Sequence, residues 1–149
     1  KLLDALDIHN DELVLDVGSG LGYSSAVISL IAQVVIAVED DSSLASEAAE
    51  ILSEIGMDNV VVQVAKLEDG APEHGPYDVI ILQGGVEEIP TSILKQLKNG
   101  GRIGAIFIEK GLGTAKIGFK LNNTITWRYS FNAAAPILQG FFKQKDFAL

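Results

Sequence analysis

The stretch Leu13-Val14-Leu15-Asp16-Val17-Gly18-Ser19-Gly20-Leu21-Gly22-Tyr23 sets glycines, a hydroxyl and a carboxylate where an apolar run gives way to a helical pattern. Glycines at such a junction let the backbone turn tightly and come close to a ligand, and the helix start offers free amides. The spacing is Gly-x-Gly-x-Gly, and Tyr23 stands where a dinucleotide-binding loop needs its third glycine. That argues against a pyrophosphate ligand. Asp16 points the same way: an anion beside the loop repels a pyrophosphate but helps hold a cationic aminoacyl-sulfonium group. The plainer reading of Asp16 is a buried strand-end carboxylate bonded to loop amides. Glu39 ends the next apolar run, where a carboxylate can accept bonds from two vicinal ribose hydroxyls. Together these residues suit a nucleoside carrying a positive charge.

The elements that must hold them alternate in type. Residues 13–17, 34–38, 60–64, 79–82 and 102–108 are short β-rich runs, and 34–38 is apolar throughout, as a strand buried on both faces should be. Between them, residues 23–31 carry Val27, Leu30 and Ile31 at helical spacing, and Leu44, Ala48, Ile51, Leu52 and Ile55 mark one helix face. Asp41 or Ser42 can cap that helix, and Gly56 can end it in the left-handed region. Residues 66–76 hold Gly70, Pro72, Gly75 and Pro76, so no long helix is expected there. A short helix over 90–97 should stop at Lys98-Asn99-Gly100-Gly101. Residues 115–121 and 124–131 read as a hairpin about Asn122-Asn123. Strands alternating with helices predict a parallel sheet with crossovers.

Composition sets the outer limits. The chain of 149 residues, 48% hydrophobic, suits one domain over residues 1–149. Its opening Lys1-Leu2-Leu3-Asp4-Ala5-Leu6 reads as a helix in progress, which fits a chain lacking an N-terminal segment. A net charge of -9, with basic residues scattered, disfavours nucleic acid or an anionic membrane as partner. No apolar run is long enough to span a bilayer. Without cysteine there is no thiolate nucleophile or thiolate metal site. His9 and His74 share no ligand spacing, and Glu39-Asp40-Asp41 is divided between ribose and capping roles, so no metal is expected. A cytoplasmic location is the expectation.

Asp16-Val17-Gly18-Ser19-Gly20-Leu21-Gly22-Tyr23 with Ala37-Val38-Glu39 resembles the first two motifs of class I S-adenosylmethionine-dependent methyltransferases. Asp58-Asn59-Val60, Gly75-Pro76-Tyr77-Asp78-Val79-Ile80-Ile81, Ile89-Pro90 and Leu97-Lys98-Asn99-Gly100-Gly101-Arg102 are similar to the protein-L-isoaspartate O-methyltransferase family in particular. The closing stretch from Phe131 to Phe141 resembles the tail of a bacterial subgroup of that family. The resemblance implies a Rossmann-like α/β sandwich, with a mostly parallel seven-stranded sheet ending in an antiparallel hairpin. It implies S-adenosylmethionine as cofactor, S-adenosylhomocysteine as product, and a protein or peptide carboxylate as methyl acceptor. Carried onto this sequence, the cofactor site comprises Asp16, Gly18, Ser19, Gly20, Gly22, Tyr23, Ser24, Glu39, Asp40, Lys66, Leu67 and Gln83. No catalytic residue is assigned, because an ionised carboxylate needs no general base.

Two stretches depart from the family pattern. Ala65-Lys66-Leu67 stands where the family has Gly-Asp-Gly, and lysine cannot accept a bond from the adenine amine. A backbone carbonyl or Glu68 is the expected substitute. Gln83-Gly84-Gly85 replaces a small Thr-Ala-Ala segment. These departures motivate a rival reading as a cofactor-binding regulatory module without turnover. A nicotinamide-dependent oxidoreductase is the other rival, and Tyr23 and Asp16 speak against it.

Overall fold

A computed structural model describes residues 1–144. The elements run α1 (Leu2–Leu6), β1 (Leu13–Val17), α2 (Tyr23–Ser29), β2 (Val34–Glu39), α3 (Ser42–Glu54), β3 (Val60–Val64), β4 (Tyr77–Val86), α4 (Thr91–Leu94), β5 (Leu97–Glu109), β6 (Leu112–Leu121) and β7 (Thr124–Asn132). Short 3-10 turns at Leu67–Asp69 and Pro72–His74 fill the glycine- and proline-rich stretch between β3 and β4. The strands form one seven-stranded sheet in the order β3-β2-β1-β4-β5-β6-β7. β1 pairs in parallel with both β2 and β4, so the chain reverses its direction of travel there, and a crevice opens beyond the strand ends. β6 and β7 are antiparallel additions, closed by Asn122 and Asn123 at φ 53° and 63°, the left-handed pair that a two-residue hairpin needs.

Side chains alternate along each strand, so the sheet carries two apolar layers. One gathers Leu15, Val17, Ile36, Ile80, Leu82 and Ile103 beneath the 3-10 turns, α4 and the C-terminal Phe141. The other packs Val14, Val35, Val79 and Ile81 against Leu6 of α1 and Ile28 of α2. Each fully buried Leu or Ile contributes roughly 1.5–3 kcal/mol. Asp41 caps α3, accepting from the amides of Ser43 and Leu44, and Gly56 ends it at φ 76°.

The structure corrects three expectations. α2 turns Ser25, Ile28 and Ser29 inward while Val27, Leu30 and Ile31 stay exposed, because the Ser25 hydroxyl donates to Asp16 on β1 and the Ser29 hydroxyl donates back to the Ala26 carbonyl of its own helix. α4 ends at Leu94, and Leu97 to Gly101 join β5 through an irregular register with β4 instead of a plain turn. β4 runs on to Val86, since past an irregular stretch Gly85 pairs with Ile106 and Ile137 and Val86 pairs with Phe107.

Arg102 ties α1 to the sheet. It donates to the carbonyls of Leu6 and Asp7 and grips Glu12 with two nitrogens, at 2.9 and 2.7 Å. Burial pushes against ionised Glu12, but the bonds from Arg102 and the His9 amide, with the Arg102 charge, outweigh it and hold the carboxyl below its ordinary range.

Candidate functional site

The glycine loop leaves β1 with Gly18 and Ser19 amides donating to the Val38 carbonyl, which pins the turn to the neighbouring strand. The Gly20 amide then reaches Glu39 Oε1 at 2.9 Å, and the Asp41 amide reaches Oε2 at 2.8 Å. Glu39 is nearly buried, yet each oxygen engages one amide and keeps a further lone pair. It is held rigid and remains able to accept two hydroxyl hydrogens. Gly20 sits at φ 57°, and a Cβ there would meet nothing within 4 Å, so the loop borders open space beside Glu39. Gly22, by contrast, packs against Ala48 and Leu52 of α3.

Asp16 is wholly buried at the end of β1. Its Oδ2 accepts from the hydroxyls of Ser24 (2.8 Å) and Ser25 (2.6 Å), and its Oδ1 from Gln83 Nε2 (2.9 Å). Burial pushes its pKa up, and the bonds from Ser25, Gln83 and Ser24 only partly offset that. These partners are side chains from α2 and β4, not the loop amides that the plainer reading of Asp16 supplies.

A cleft of about 490 Å³ lies past the strand ends, where Asp40, Leu67, Leu82 and Gln83 line its walls. Nucleoside chemistry suits the cleft and the loop near it: Glu39, next to the lining Asp40, offers a fixed carboxylate for ribose, Leu67 and Leu82 offer apolar surface for a base, and Gln83 offers an amide. Ser19 Oγ adds a buried hydroxyl that has no partner among the described residues, a polar atom that a ligand group could satisfy. Tyr23 is 63% exposed at the start of α2. Lys66, also exposed, precedes the 3-10 turn at Leu67, and its backbone carbonyl is already taken by the Asp69 amide.

One wall was not assigned from the sequence. Residues 133–141 cross the end of β4 as a strap: the Gly85 amide donates to Pro136, the Leu138 amide donates to Gly85, and Phe141 accepts from Glu87 and Glu88. A Cβ on Gly85 would lie 2.8 Å from the Ala135 carbonyl oxygen, so glycine there admits the backbone of the strap this closely. The paired glycines at a strand end were the available signal, since glycine inside a strand often marks a close backbone approach. Phe141 is buried while Phe142 stays exposed.

A model of the protein-L-isoaspartate(D-aspartate) O-methyltransferase family matches residues 1–116. This chain belongs to that family. A protein-L-isoaspartate O-methyltransferase of Syntrophus aciditrophicus is 37% identical over 102 residues, covering 68% of this chain and 47% of the relative. A solved protein-L-isoaspartate O-methyltransferase superposes with a TM-score of 0.87 at 27% identity, over 93% of this chain and 45% of the other. A putative Plasmodium falciparum protein-L-isoaspartate O-methyltransferase, solved with S-adenosyl-L-homocysteine, gives a TM-score of 0.72 at 19% identity, over 93% of this chain and 69% of the other. That likeness shows the shared fold. The chain thus spans about half the length of the isoaspartate methyltransferase relatives it matches.

Proposed function

We propose that residues 1–149 form the S-adenosylmethionine-binding domain of a protein-L-isoaspartate O-methyltransferase, which transfers methyl to an isoaspartyl carboxylate of a protein or peptide. The observation that carries this reading is Glu39, fixed by the Gly20 and Asp41 amides beside open space at the loop. Bound S-adenosylmethionine would supply an electrophilic methyl on a positively charged sulfur. The chain's own residues bind and orient: Glu39 takes the ribose hydroxyls, Leu67 and Leu82 flank the base, and the glycine loop admits the ligand closely. Asp40, Gly18, Gly22, Tyr23, Ser24 and Lys66 complete the proposed surroundings. An isoaspartyl carboxylate is ionised at neutral pH, so a bound cofactor would supply its methyl to a carboxylate oxygen without any side chain having to remove a proton. Catalysis is then orientation and exclusion of water, for which an apolar strap beside the cleft is suited.

No helix among the described residues is long and apolar enough to cross a membrane, and a cysteine-free, acidic chain suits work in the cytoplasm. Calorimetry with S-adenosylhomocysteine and with NAD tests the cofactor. Binding of the first alone is expected, and Glu39→Ala should weaken it by about 1–3 kcal/mol. Binding of NAD alone, or unchanged affinity in the variant, sinks this reading of the site. A second reading, a cofactor-binding module without turnover, is favoured by Gln83-Gly84-Gly85 in place of the family's small segment. Methyl transfer to an isoaspartyl peptide by the full-length protein separates the two.

A further inference from the structure

Asp16 is fully buried, and hydroxyls and an amide from three residues take up three of the four acceptor positions on its two oxygens. The group that does reach the cleft from this cluster is Gln83, which lines it beside the glycine loop. A carboxylate only accepts, so Gln83 must turn its NH2 toward Asp16 and leave its carbonyl outward. Among the described residues, Gln83 Oε1 has no partner, and it is not among the polar atoms shut away from solvent. Gln83 therefore presents an oriented acceptor, with the Asp16 carboxylate directly behind its amide nitrogen. Leu2, Leu82, Ile106 and Leu138 make much of the surrounding wall apolar, with Asp40 and Gln139 the other polar side chains that line it.

The position of this acceptor identifies its ligand group. Glu39 ends β2, Gln83 lies near the end of β4, and β1 runs between them. Two strand spacings amount to about 10 Å. A nucleoside held by its ribose at Glu39 and lying across β1 brings its 5′ substituent to Gln83. We propose that Gln83 Oε1 binds the ammonium of the cofactor's amino-acid end, and that Asp16 is a positioning residue which fixes the Gln83 amide and polarises its carbonyl toward that cation. This assignment rests on the adenosyl-ligand reading of the site. It also gives the departure at Gln83 a physical purpose, since a threonine hydroxyl could not span from a buried Asp16 to a cleft ligand.

The test compares S-adenosylhomocysteine with 5′-methylthioadenosine, which keeps the nucleoside and thioether but lacks the amino-acid end. Calorimetry on the intact chain should show Gln83→Leu binding S-adenosylhomocysteine about tenfold to a hundredfold more weakly, while its affinity for 5′-methylthioadenosine stays at the wild-type value. Asp16→Ala removes the acceptor that holds the Gln83 amide, and it should show the same selective loss, of smaller size. It also keeps the test intact if Gln83→Leu does not fold. Equal losses for both ligands, or no loss for S-adenosylhomocysteine, would overturn the assignment. If the wild-type chain binds neither ligand, the adenosyl reading itself fails and takes this proposal with it. Binding of 5′-methylthioadenosine with indifference to Gln83 leaves that reading standing and removes Gln83 alone.

Discussion

The two sides of the candidate site are made in different ways. The glycine-loop wall is local: Ser24 and Ser25 reach Asp16 across 8 and 9 residues, and Gly20 reaches Glu39 across 19. The facing wall joins distant chain, with Gln83 bonded to Asp16 across 67 residues and the strap laid on Gly84 and Gly85 from the far end of the sequence. A local wall can form as soon as β1, α2 and β2 assemble. The distant wall depends on β4 and the tail arriving together, so ligand recognition and fold stability should separate between the two sides.

The largest effect should come from the distant wall. Phe141→Ala empties a fully buried position in the core layer, and urea unfolding should show a loss of about 3–5 kcal/mol. A cost below about 1 kcal/mol would mean that the strap merely rests on the sheet. Next comes the local wall. Gly20→Val projects a branched side chain into open space, so S-adenosylhomocysteine binding should fall at least a hundredfold, about 2.7 kcal/mol, with near-native circular dichroism. Persistent binding would make the loop a plain turn.

The smallest effect tests the ion pair that joins both halves, Arg102 on β5 with Glu12 before β1. Folding lowers the Glu12 pKa, so the unfolded chain holds that proton more tightly. The pair therefore adds its full stability above the ordinary glutamate value and loses it as pH falls through the lowered one. Glu12→Gln should flatten that part of the acid unfolding profile, by about 1 kcal/mol. An unchanged slope would assign it to other carboxylates.

The same division decides what could be read beforehand. The bounds of β1 and β3, the Asp41 cap, the Gly56 stop and the Asn122-Asn123 turn follow from short-range patterns, and the structure has all of them. Glu39 was legible because a strand-end carboxylate after a glycine loop is a local signature. The partners of Asp16 were not, since pairing with Gln83 needs β1 and β4 to be neighbours. Nor was the strap: the contact between Gly84 and Leu138 exists only in three dimensions. The extra length of β5 was hidden for a related reason, because Asn99-Gly100-Gly101 reads as a turn until β4 supplies a partner.

β3 borders the sheet, and its five residues, Val60-Val61-Val62-Gln63-Val64, carry no charge and no proline. Val61 and Val64 stand 43% and 54% exposed beside it. Such an edge is a template on which another strand can add, and nothing within the strand itself discourages this. At neutral pH the guard is collective: a net charge of -9 keeps two molecules apart before their edges can meet. Near the isoelectric point of about 4.5 that repulsion disappears while the edge remains. The solubility of this domain thus depends on the charge of the whole molecule, and acidification exposes a liability in five residues far along the sheet from the strap.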